Sequence, residues 1–200
     1  MWVSLLAGCA GGAPGGLPRA ARATTAPAAS ALPARCEGVG AQVAAWGEQW
    51  PRQGENPGVG CPVSLEGAVS IWRDRPAAEL TGRPVLVCFW GSYSEPSRKA
   101  LIRLEGVAER HPDLAVVAIA VDGGNVDAST LRDFAAELGL EHADVRWLPD
   151  QTQRAALLER FAAGDNTSYL IDAAGVMRWT GFYADMLEPS FEARLDDLRP

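Results

Sequence analysis

The chain has 200 residues but only two histidines and four cysteines, and nowhere do its lysines and arginines form a run. Each shortage removes a class of function. Eighteen Lys and Arg against 25 Asp and Glu leave a net charge of −7, which argues against a nucleic-acid partner held by phosphate contacts. No apolar stretch reaches the roughly 18 residues that a membrane-spanning helix needs. His111 and His142 are far apart and the cysteines do not cluster, so no ligand spacing suits a metal, and no cofactor is expected. A serine nucleophile would need a base beside it, and neither histidine is placed to serve Ser94 or Ser97.

What remains suits one globular domain with extra chain ahead of it. Residues 1–9 end in Leu6-Ala7-Gly8-Cys9, which resembles the lipobox of bacterial lipoproteins and marks Cys9 as the residue that would be lipidated. Only eight residues precede Cys9 and none is basic, whereas signal peptides run to about 15–30 residues. An ordinary apolar N-terminus is the other reading. Residues 10–35 are nearly all Ala, Gly, Pro, Thr and Arg without periodicity, the composition of a disordered linker or tether. Residues 36–75 form an extension in which Cys36 and Cys61 flank Trp46 and Trp50. In an oxidising compartment these cysteines would pair, stabilising the domain by roughly 3 kcal/mol. In a reducing one they would be two unrelated thiols.

From residue 76 to 200 the pattern is regular. Val85–Trp90 and Leu114–Val121 are apolar runs of the kind found in strands buried on both faces. Between them Ala100, Leu101, Leu104, Val107 and Ala108 fall at helical spacing, in a helix opening at Ser94. A second helix is expected from a cap at Ser129 or Thr130 to Leu138, and a third over 153–163. Two more strands, Ser168–Asp172 and Val176–Gly181, turn about Gly175, and a helix over Glu188–Leu198 closes the domain. Alternating strands and helices followed by a hairpin make this an α/β chain with helices on a central mixed sheet.

Three separated segments resemble the thioredoxin-like superfamily, and most nearly its TlpA/ResA branch of extracytoplasmic thiol-disulfide oxidoreductases. They are Gly82-Arg83-Pro84-Val85-Leu86-Val87-Cys88-Phe89-Trp90, Val116–Asp122, and Thr167-Ser168-Tyr169-Leu170-Ile171-Asp172 with Gly175. The resemblance implies a thioredoxin-like fold over about residues 76–198. It also implies that Ser94 and Ser97 stand where the family has the cysteines of Cys-x-x-Cys, with Pro96 retained between them. The family's cis-proline falls on Asn166, where a cis bond would cost about 3 kcal/mol. Cys88 takes the position beneath the active site, either as a small buried hydrophobe or as a lone thiol under the vacated turn.

A hydroxyl forms no disulfide and is far less acidic than a thiol, so these residues argue for a redox-inactive, degenerate site. Ser94 would instead cap the helix and Glu95 complement its dipole. The expected function is a protein- or peptide-binding module of the cell envelope or periplasm, attached to membrane only through lipid on Cys9. Its groove would be lined by Trp90, Tyr93, Glu95, Asn166 and Thr167. Two alternatives stand beside it: an oxidoreductase working through Cys36 and Cys61, and a purely structural domain.

Overall fold

The computed structural model describes residues 36, 58–72, 78–122, 126–161 and 166–198. The readings of Cys9, of the 10–35 linker and of Trp46 and Trp50 lie outside the described residues. The elements run β1 (Val69–Ser70), β2 (Val85–Trp90), α1 (Glu95–Arg110), β3 (Ala115–Ala120), α2 (Ala128–Glu137) and β4 (Asp144–Trp147). They continue with α3 (Gln151–Phe161), β5 (Thr167–Ile171), β6 (Met177–Phe182), a 3-10 turn (Asp185–Leu187) and α4 (Pro189–Asp197).

Six strands form one mixed sheet in the order β1-β4-β3-β2-β5-β6. β2 lies parallel to β3 and antiparallel to β5, which makes it the central strand; β3 and β4 are parallel. Every residue of β2 and β3 is buried, as expected of strands covered on both faces. Side chains alternate between two cores. Leu86, Cys88 and Trp90 face the layer formed by α1, α2 and α4. Val85, Val87 and Phe89 face α3, where Phe89, Phe161 and Tyr169 pack with ring centroids 5.0–5.7 Å apart.

Two strands escape the sequence pattern. β1 is only two residues long, and β4 carries charge at the two positions its periodicity should make apolar. Those charges are mutually satisfied. Arg146 Nε donates to Asp144 Oδ2 at 2.7 Å and its Nη2 to the Ala78 carbonyl at 2.9 Å, while Asp144 accepts from Ser70 Oγ and Ala78 N. The pair fastens Ser70 and Ala78 to the sheet edge. The cap of α2 is Asp127 rather than Ser129 or Thr130; its carboxylate accepts from Thr130 N at 2.8 Å.

Candidate functional site

The carboxyl ends of β2 and β3 and the start of β5 meet at one pole of the sheet, and the Ser94–Ser97 turn lies there. The turn is fastened from three sides. Ser92 N donates to both carboxylate oxygens of Asp122 at 3.1 Å, and the Ser92 hydroxyl also donates to Asp122. Gly91 N donates to Ser97 Oγ at 3.0 Å. Ser97 Oγ in turn donates to Asn166 Oδ1 at 2.8 Å, with the serine fully buried. Its single proton is thus committed to an amide oxygen, and among the described residues no imidazole or carboxylate is bonded to it as a base.

Asn166 is held as firmly. Its N–H donates to the Phe89 carbonyl at 2.7 Å and its carbonyl accepts from Tyr183 N at 3.3 Å. Its φ of 67° lies in the left-handed region, which asparagine tolerates better than most residues. No peptide bond among the described residues is cis.

The other expected residues separate. Ser94 occupies the N-cap position of α1, but its hydroxyl makes no capping hydrogen bond. The reason is local. Pro96 has no N–H to offer, and Ser97 N–H bonds at 3.1 Å to the Ser94 carbonyl instead. Tyr93 is 70% exposed, with its ring laid against Gly91; a Cβ on Gly91 would fall 2.6 Å from the ring. Glu95 is exposed in the first turn of α1, 3.9 Å from Lys99 Nζ.

Trp90 does not line a groove. It is fully buried and stacked on Phe134 at 5.5 Å, and the Arg98 guanidinium lies over the Phe134 ring. Thr167 is likewise buried, on the sheet face that carries Phe89 and Tyr169 rather than the face under α1. Among the described residues, the surface at this pole includes Tyr93, Ser94, Glu95 and the edge of Asn166. To these the structure adds Phe182, which is 41% exposed and paired with Thr167 across the β5–β6 ladder. Neither Phe182 nor Asp122 stood out in the sequence. Asp122 was legible as the residue ending a strand parallel to β2, which sets it across from the turn.

Cys88 is fully buried, in register with Ser168 of β5. Burial pushes its thiol up to about 12, and the neighbouring Ser168 hydroxyl only partly offsets this. A thiol so protonated is a core residue, not a nucleophile. Among the described residues no three His, Cys, Asp or Glu side chains gather as a metal site would require.

Cys36 and Cys61 are joined in a disulfide. Cys61 lies at the opposite pole: Met177 N donates to its carbonyl, and Met177 begins β6, whereas Phe182 at the other end adjoins Asn166. The length of that strand, about 17 Å, separates the disulfide from the turn. A cleft of about 780 Å³ between Arg83, Trp179, Arg194 and Leu198 also lies at this far pole.

No family model matches the chain, and no curated protein matches it. Solved structures do. A candidate electron transfer protein from Aquifex aeolicus VF5 is 13% identical with a TM-score of 0.57, covering 70% of this chain and 98% of its own. A thioredoxin-like protein from Parabacteroides distasonis is 17% identical at 0.49, covering 69% and 96%. A candidate thiol:disulfide interchange protein DsbE from Chlorobium tepidum is 24% identical at 0.43, covering 59% and 78%. At these identities the likeness is one of architecture. The described domain has a mixed six-stranded sheet, helices on both faces and the thioredoxin-like fold.

Proposed function

We propose that this is a thioredoxin-like domain that carries out no dithiol exchange at its turn and offers that turn to a protein or peptide partner. The observation that carries this reading is the pair of bonds on Ser97. Where the resemblance expects the second cysteine, a buried hydroxyl accepts from Gly91 N and donates to Asn166 Oδ1. These bonds supply the rigidity of a site without its sulfur chemistry. The fastening of Ser92 by Asp122 adds to it and leaves Tyr93 displayed. An exposed aromatic on a rigid turn is an anchor for an extended segment.

The test is titration of the isotope-labelled full chain with reduced, alkylated insulin B chain as an unfolded probe. Amide shifts confined to Tyr93, Glu95, Asn166 and Phe182 support the reading. Their absence up to millimolar probe, or shifts centred elsewhere, overturns it.

One observation favours a second reading, that of an oxidoreductase working through other cysteines. Cys36 and Cys61 do form a disulfide. Against it, Cys61 lies beside the start of β6, where Met177 N donates to its carbonyl, and stands a strand's length from the turn. The disulfide also supports an extracytoplasmic location, since such bonds persist where the surroundings are oxidising. The Leu-Ala-Gly-Cys sequence at residues 6–9 is consistent with a lipid anchor there.

A further inference from the structure

The two cysteines of the Cys36–Cys61 bond are not equally exposed. Cys61 is 3% exposed, whereas Cys36 is only half-buried. Cys61 is also held by its backbone. Its N–H donates to the Gly58 carbonyl at 2.9 Å, Met177 N donates to its carbonyl at 2.9 Å, and the flanking Gly60 and Val63 N–H groups donate to Met177 and Gly175. Three of these bonds, those to Met177 and Gly175, dock the 58–63 stretch at the start of β6 through its backbone. Cys61 is itself buried, and its neighbours Val59 and Val63 pack against the core formed by Val85, Val87 and Phe89, so the stretch is anchored by apolar contact as well.

We propose that Cys36 Sγ is the site at which this chain exchanges its disulfide with an external dithiol, and that the exchange breaks the Cys36–Cys61 cross-link while the domain keeps its fold. The chain is then the substrate of thiol–disulfide exchange, independently of what the turn binds. The external thiolate attacks Cys36 Sγ, forming a mixed disulfide as the bond to Cys61 breaks; Cys61 leaves as a thiolate and takes up a proton. The second thiolate of the reductant then attacks its own mixed-disulfide sulfur and releases Cys36 as a thiol. The dithiol is oxidised to a disulfide, and Cys36 and Cys61 are both reduced. Loss of the cross-link frees the unfolded chain and so lowers stability, while the backbone bonds between the 58–63 stretch and residues 175–177 remain.

The experiment uses the oxidised full chain. In the first arm, excess glutathione is quenched early with iodoacetamide and the modified cysteines are mapped by mass. Glutathione on Cys36 with the alkyl group on Cys61 is expected, at least tenfold over the reverse pattern. The reverse pattern, or no opening at all, overturns the proposal. In the second arm, dithiothreitol opens the bond completely before native alkylation and thermal melting. Alkylation of Cys36 and Cys61 with Cys88 untouched, and a melt that stays cooperative, is the expected result. Alkylation of Cys88, or loss of the cooperative melt, overturns it.

Discussion

Ser97 Oγ lies 2.8 Å from Asn166 Oδ1, and this one bond joins the helix following β2 to the residue preceding β5. Replacing Ser97 by Ala leaves two buried partners unsatisfied, Gly91 N–H and Asn166 Oδ1. A loss of about 1–3 kcal/mol in urea unfolding is expected. Asn166→Gly keeps the left-handed backbone and removes only the side-chain bond, so it should cost less than Asn166→Val, which combines both defects. Equal losses in the two variants would show that the φ of 67° carries no strain for a branched side chain.

The buried pair Asp144–Arg146 makes a second prediction. Asp144→Ala strands a guanidinium that is 8% exposed and still tied to the Ala78 carbonyl, and should cost about 3–5 kcal/mol. Because Asp144 holds Ser70 Oγ and Ala78 N against β4, hydrogen exchange at Val69 and Ser70 should quicken in this variant. A loss below 1 kcal/mol, on the order of an exposed pair, would contradict that account.

Much of this was legible in the residues, and the misses have physical reasons. The apolar runs of β2 and β3 announce strands covered on both faces, and the observed spans agree with them to within a residue or so. β4 was hidden because Asp144 and Arg146 satisfy each other, which periodicity cannot register. Trp90 read as a groove residue because it adjoins the turn. Its parity with Leu86 and Cys88 sends it into the core, and Phe134, distant in sequence, closes over it. Ser94 read as a capping hydroxyl, but Pro96 removes one of the N–H groups that a cap would serve.

Glu105 and His142 predict a pH dependence. Burial pushes the Glu105 carboxyl up, but bonds from Ala143, His142 and Glu141 outweigh it and hold the group below its usual 4.5. The hydrogen bond to Glu105 raises His142 above 6.5. A depressed carboxylate stabilises above its unfolded value and loses that contribution as pH falls through the folded one. A raised imidazole stabilises fully below its unfolded value and loses that contribution as pH rises through the folded one. The two act together between about pH 5 and 6.5. The difference in melting temperature between the wild type and Glu105→Gln should be largest in that window and shrink on both sides. A difference independent of pH would contradict the assignment.

Restoring the sulfurs should restore the chemistry that their positions imply. In Ser94→Cys/Ser97→Cys the two thiols occupy the N-cap and third positions of α1, where the helix dipole favours a thiolate. Oxidation should produce a third, dithiothreitol-sensitive state in which residues 94 and 97 are joined, detectable by peptide mapping. If these cysteines stay reduced while Cys36 and Cys61 pair, the turn does not have the geometry ascribed to it.

The central claim is that the turn supports no dithiol exchange, and insulin reduction by dithiothreitol tests it most directly. The full-length chain and its Cys36→Ser/Cys61→Ser variant should both match the uncatalysed rate, while Ser94→Cys/Ser97→Cys exceeds it. Catalysis by the natural chain that disappears in the Cys36→Ser/Cys61→Ser variant would contradict the account and make that pair the working centre.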